Sequence, residues 1–158
     1  MAYQKLQVST ALEVIPADFI NIPNPSDEKR SSVTTAASGL TDGLATFTDG
    51  SIKIGYIVYD TSNNVAARVT GIVNDNELSL DDGNGSVVNI ANAANYRIYK
   101  DANNACVLYV GVSGDLAVQM ANSGQNVTFI AAPVGYHPIQ VNRVLATGTT
   151  ADSIIALW

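Results

Sequence analysis

The chain has 158 residues, enough for one ordinary domain or two small modules. Hydrophobic residues make up 47% and charged residues only 14%, which excludes a disordered chain and leaves Asn, Ser, Thr and Gly to cover the surface. A formal net charge of −6 disfavours nucleic acid as a partner, because its phosphates would be repelled, and no apolar run approaches the ~20 residues of a membrane-spanning helix.

In chain order, the amino end "MAYQKLQVSTALEVIPADF" lacks the charged n-region and long h-region of a signal peptide, so synthesis and folding in a cytoplasm are expected. "KLQVSTALEVI" reads as a first strand. "IPNPSDEKRSS" then interrupts the pattern: Pro23 and Pro25 lack backbone donors and the following residues are charged or small, so an extended arm or linker is expected. "IKIGYIVYD", "AARVTGIV", "ELSL" and "YRIYK" follow as closely spaced strands, separated by "TSNN", "NDN" and "DDGNG", residues that accept positive φ or close Asx turns. The carboxyl part supplies "CVLYVGV", "DLAVQM", "NVTFIAA", "QVNRVLATG" and "SIIALW", with turns at "VSGD" and "NSGQN".

Helical periodicity is hard to find anywhere along the chain, so the fold class expected is all-β. The closely spaced strands of the middle third suit a small barrel-like module, and the Ala- and Asn-rich patches "TTAASG" and "NIANAANY" near its ends look like crossings. The expected organisation is a split β-sandwich-like domain of residues 1–35 plus 103–158, interrupted by an inserted small β-barrel-like module at 36–102. Tyr56 and Tyr59, like Tyr96 and Tyr99, are three residues apart. The members of each pair therefore face opposite sides of a strand, and one of each pair could lie outside.

No constellation for catalysis emerges. His137 is the only histidine, and "GVSGD" at residues 111–115 fails the G-x-S-x-G pattern because it ends in Asp115. Lying between Tyr136 and Pro138, His137 reads as a loop-packing or interface residue. Asp75, Glu77, Asp81 and Asp82 lack the glycine and closing glutamate of a calcium loop and read as solvated turns. The single cysteine, Cys106, rules out an internal disulfide and sits among apolar neighbours as a small buried hydrophobe. No catalytic residue, metal or cofactor is expected.

The carboxyl segment from Val107 to Trp158 resembles a family of tailed-phage virion proteins. The likeness is carried by a "G-D-L-x-V" strand at residues 114–118, "V-T-F" at 127–129, a proline loop at 133–138, and "RVLATGTTADSIIAL" at 143–157. The family includes the spike-base protein of phage-like gene transfer particles and proteins of marine phages. The amino stretch "YQKLQVSTALEVIPADFINIPNP" is similar to the start of such proteins, and the insert resembles a small β-module of phage structural proteins.

The resemblance implies a non-enzymatic virion protein at the particle surface, made in the host bacterial cytoplasm. It would be a capsid decoration (cement) protein or the base of a head spike, attached through repeated symmetric contacts. Its implied partners are the major capsid protein or a spike or fibre protein of the same virion, with homo-oligomers expected and neither nucleic acid nor membrane involved. The alternative is a receptor- or glycan-binding module of a head or tail fibre. Interface candidates are Tyr136, His137, Pro138 and Trp158. For Trp158, the last residue of an apolar strand, a place in its own domain's core is weighed against a subunit contact.

Overall fold

The computed structural model describes residues 8–101 and 105–158. The chain is all-β: among the described residues thirteen strands form two antiparallel sheets, and the helical content is two single 3-10 turns, Pro25–Asp27 and Phe47–Asp49. In chain order the strands begin with β1 (Ala11–Glu13), β2 (Glu28–Val33), β3 (Leu40–Thr41) and β4 (Ile57–Asp60). β5 (Val65–Asn74), β6 (Glu77–Asp81), β7 (Val87–Val88) and β8 (Asn95–Tyr99) follow. The carboxyl part holds β9 (Cys106–Val112), β10 (Gly114–Met120), β11 (Asn126–Ala132), β12 (Gly135–Val144) and β13 (Asp152–Leu157).

The first sheet takes β1 and all strands after residue 105, in the order β1-β13-β9-β12-β10-β11. β12 turns the corner of this sheet. Its first half pairs with β9, from Gly135 opposite Val110, and its second half pairs with β10, up to Val144 opposite Val118. A register shift between His137 and Val141 marks the bend. Cys106, Leu108 and Val110 of β9 alternate inward and share one core with Leu116 and Val118 of β10 and Ile154 and Ala156 of β13. The sheet is thereby folded on itself as a sandwich-like layer pair.

The second sheet has the order β2-β8-β4-β5-β6-β3, with β7 added on β6. It is open: among the strands β2 pairs only with β8 and the two-residue β3 only with β6, and the chain just after β2 meets β3 at a single bridge, Ala36 to Thr41. The expected small barrel-like module is thus an open antiparallel sheet, curved around Leu40, Phe47, Val58, Val69, Leu78, Leu80, Tyr96 and Ile98 and not closed into a barrel.

The expected arm at "IPNPSDEKRSS" is also corrected. Asn24 caps a 3-10 turn by accepting the Ser26 amide (2.9 Å), and the chain then enters β2, which pairs with Tyr96, Arg97 and Ile98 of β8. Residues 28–33 thus sit in the second sheet and not with the split domain. Their charges are compatible with a strand because β2 is an edge whose residues alternate between partly buried and exposed. The first candidate strand is shorter than expected: only Ala11–Glu13 is a strand among its described residues, and residues 5–7 lie outside them.

Residues 14–22 form the seam. Their backbone is tied to the first sheet by Val14 N–H to Ile154 O, Ala17 N–H to Val144 O and Ile22 N–H to Asn142 O, each 2.9 Å. Val14 and Ile22 enter the first core, whereas Ile15 and Ile20 are buried against Ile57, Tyr59 and Tyr99 of the second sheet. This explains why all four residues of β4 are buried, and why the spacing-of-three rule leaves neither Tyr59 nor Tyr99 outside. The loop "DDGNG" closes over the same arm. A Cβ at Gly83, where φ is +87°, would lie 2.7 Å from the Phe19 carbonyl oxygen, so only glycine fits.

One buried charge network organises the second sheet. Asp42 is fully buried and accepts hydrogen bonds from the Tyr96 hydroxyl (2.6 Å), from Arg30 (2.6 Å) and from the Leu44 amide (2.9 Å). Arg30 also donates to Tyr96 (2.8 Å) and lies over the Phe47 ring. Burial by itself raises the Asp42 pKa, but these bonds outweigh it and hold the carboxyl at about 2. A depressed carboxylate contributes stability that is complete above its unfolded value of about 4 and is lost as pH falls toward about 2. Melting curves at stepped pH should therefore show wild type far more stable than Asp42→Asn at neutral pH, with the two converging between pH ~4 and ~2. Parallel curves would show that the network does not set acid stability.

The carboxyl terminus is tied down. Trp158 N–H donates to Thr10 O (3.0 Å), Ser9 N–H donates to Trp158 O (2.7 Å), and the partly buried indole packs on the first core. Since the ring is only partly buried, Trp158→Ala is expected to cost about 2 kcal/mol by chemical denaturation, below the ~3–5 of a fully buried aromatic.

Candidate docking surface

The "ATGTT" segment is a backbone clamp rather than a binding loop. Thr147 donates its hydroxyl (2.7 Å) and amide (2.8 Å) to the Asp18 carboxylate. Gly148 turns at φ +89°. Thr149 Oγ1 then accepts from Ala117 N (3.0 Å), and Thr150 Oγ1 accepts from Asp115 N (2.8 Å), so two side chains satisfy amides of β10. Arg143 extends the clamp to the arm, donating to Asn21 Oδ1 and to Asp18 O (2.7 Å). The motif joins the seam to the sandwich.

Of the interface candidates, the structure brings three together and separates the fourth. Tyr136 is 74% exposed and stands edge-on to Tyr109, its cross-strand neighbour, with ring centroids 5.2 Å apart. His137 is partly buried with Nε2 2.9 Å from Pro133 O, which fixes the turn between β11 and β12, and Pro138 is exposed. Trp158 packs into the first core, apart from the Tyr136 group.

Sequence reasoning missed the edge beside them. β11 is the outermost strand of its sheet and pairs only with β10. Where Gly114 and Leu116 of β10 face Ala132 and Phe129, the register shifts and Ile130 and Ala131 bulge out. Ala131 has φ +50°, a conformation costly for a residue with a Cβ, and the Asp115 carboxylate holds it there by accepting its amide (2.9 Å). Ile130 is thereby left 74% exposed, close in sequence to exposed Val134 and Tyr136. The available signal was charge: no Lys, Arg, Asp or Glu falls between Asp115 and Arg143.

The acidic residues of the middle loops are each engaged separately. Asp75 accepts from the Thr48 hydroxyl, Glu77 from Ser38 (3.0 Å), Asp81 from Arg68 (2.9 Å), and Asp82 from the amides of Asn84 (2.8 Å) and Ser86 (3.0 Å). Among the described residues no group of three or more His, Cys, Asp or Glu is placed to hold a metal ion. Cys106 is buried, with Sγ 3.6 Å from Val141 O, and burial pushes its thiol pKa up to about 12, which leaves no thiolate near neutrality.

Comparison with protein-family models, with curated proteins and with solved structures finds no match.

Removing the Cβ at the bulge should relieve it. Ala131→Gly is expected to raise the unfolding free energy by up to about 1 kcal/mol in denaturant titrations, and Asp115→Ala to lower it by about 1 kcal/mol by orphaning the Ala131 amide.

Proposed function

We propose that this protein is a non-catalytic assembly subunit of a phage particle surface, a capsid decoration protein or head-spike base, that works through copies joined at the β11 edge. The observation that carries the reading is that edge: seven residues long, without charge or proline, and flanked by exposed Ile130, Val134 and Tyr136. Edges without charge or proline pair readily with other chains, and the bulge at Ile130 and Ala131 confines the regular open stretch to Asn126–Phe129.

A second copy of the chain is the fitting occupant. With a net charge of −6 the copies repel one another generally, and an uncharged border is where that repulsion is weakest. An isologous pair of β11 strands satisfies both edges at once and closes the assembly instead of extending it. The virion setting rests on the sequence resemblance in the carboxyl third. Each closed dimer then adds its own weak contacts to the particle, and their repetition over a symmetric shell supplies the strength without one tight site.

The test is Ile130→Lys. A lone surface charge should change stability by no more than about 0.5 kcal/mol. Light scattering behind size exclusion should show wild type as an oligomer and the variant as a monomer, and the variant should fail to decorate particles in add-back electron microscopy. A wild-type chain that stays monomeric and absent from particles contradicts the proposal.

A further inference from the structure

We propose a modification site, independent of the β11 edge: Asn84, in the loop that closes over the arm, deamidates spontaneously through the Gly85 amide, and its isoaspartyl product loosens that loop. Asn followed by Gly occurs once in the chain. The reaction needs an exposed asparagine with a free side chain, a following amide that is not held in a hydrogen bond, and room for a ring to close between them. All three meet here. Asn84 and Gly85 are exposed, and among the described residues neither the Asn84 side chain nor the Gly85 amide has a hydrogen-bond partner. Gly85 turns at φ +94° with nothing within 4 Å of where a Cβ would stand, so no side chain shields the nitrogen.

The other asparagines fail one requirement or another. Asn76, Asn89 and Asn142 have side-chain amides engaged by hydrogen bonds. Asn92 precedes Ala93, whose amide donates to Thr34 O (3.0 Å). Asn64 and Asn126 precede Val65 and Val127, whose branched side chains crowd the attacking nitrogen. Asn122 comes nearest, exposed and followed by Ser123, but serine carries a Cβ that glycine lacks.

The step balances without an oxidant, a reductant or a catalyst. Hydroxide removes the Gly85 amide proton, the nitrogen attacks Asn84 Cγ, and the Cγ–Nδ2 bond breaks as ammonia leaves with a proton from water. A five-membered succinimide results. Water then opens this ring, either at Cγ to give aspartate or at the main-chain carbonyl to give isoaspartate, so that one water is taken up for one ammonia lost. Isoaspartate runs the main chain through Cβ and Cγ and adds one atom to it. The loop has little slack for that atom: Asp82 N–H donates to Ser86 O (3.0 Å), and the Asp82 carboxylate accepts the amides of Asn84 (2.8 Å) and Ser86 (3.0 Å). Beyond it, β7 holds to β6 by two residue pairs. Gly83, on the other side of Asn84, lies against Phe19 and Ile20 of the arm, so the lengthened loop loses its seat there.

The experiment holds the full-length protein at mildly alkaline pH and follows intact mass and peptide maps, with fragmentation that separates aspartyl from isoaspartyl peptides. Wild type should gain one mass unit in a first phase that maps to Asn84 and accelerates with pH. Asn84→Gln, whose longer side chain closes a six-membered ring slowly, should lack this phase, and Asn122→Gln should keep it. In the isolated isoaspartyl form the Asp82 and Ser86 amides should exchange hydrogen severalfold faster than in wild type. Asn84→Asp, which adds the charge without the extra main-chain atom, should keep them protected. An intact Asn84 while Asn122 converts, or an unchanged first phase in Asn84→Gln, overturns the site. Unchanged exchange in the isoaspartyl form overturns the loosening, and equally fast exchange in Asn84→Asp overturns main-chain lengthening as its cause.

Discussion

The fold depends on the packing of one nine-residue arm between two sheets. Neither sheet covers its own second face completely. The arm does so for both, because an extended chain sends successive side chains to opposite sides: Val14 enters one core and Ile15 the other. Burying an isoleucine contributes about 1.5–3 kcal/mol, so Ile15 and Ile20 together are a large share of the margin that holds an ordinary domain folded. The carboxyl clamp serves the same seam. Thr147 and Arg143 reach Asp18 and Asn21, which ties the segment between β12 and β13 to the arm.

Charged groups are few, and most of the aspartates are spent on backbone. Asp18, Asp42, Asp60, Asp81, Asp82 and Asp115 each accept at least one main-chain amide from a turn, a loop or a bulge. This is how a chain with 14% charged residues and many loops keeps its buried amides satisfied. It also leaves the stretch from Leu116 to Asn142 without a Lys, Arg, Asp or Glu. The cost of building that stretch is the left-handed Ala131, which the Asp115 carboxylate compensates.

The strand class was legible because β-branched and aromatic runs alternate wherever one face is buried, as in "CVLYVGV". The terminal strand could be read the same way, since "SIIALW" is too apolar to be left free. β2 was hidden by Lys29 and Arg30, charges that an edge strand accommodates and a central strand would not. Barrel closure could not be judged from short hairpins alone, because it depends on whether β2 and β3 meet, a relation between residues far apart in sequence. Of the docking surface, Tyr136 to Pro138 stood out by residue type. Ile130 did not, since its exposure arises from a bulge set by Asp115 fifteen residues earlier in the chain. The Arg30–Asp42–Tyr96 network was invisible for the same reason: its three members lie on separate elements.

The central claim is that a rigid seam presents one uncharged edge for a copy-to-copy contact. Amide hydrogen exchange of the wild-type protein, measured at low and at high protein concentration, tests it most directly. The seam amides Val14, Ala17 and Ile22 should exchange slowly and equally at both concentrations. Those along Asn126–Ala132 that are free in the monomer should become protected only at the higher one. Exchange along β11 that is fast and independent of concentration, including in assembled particles, would contradict the account.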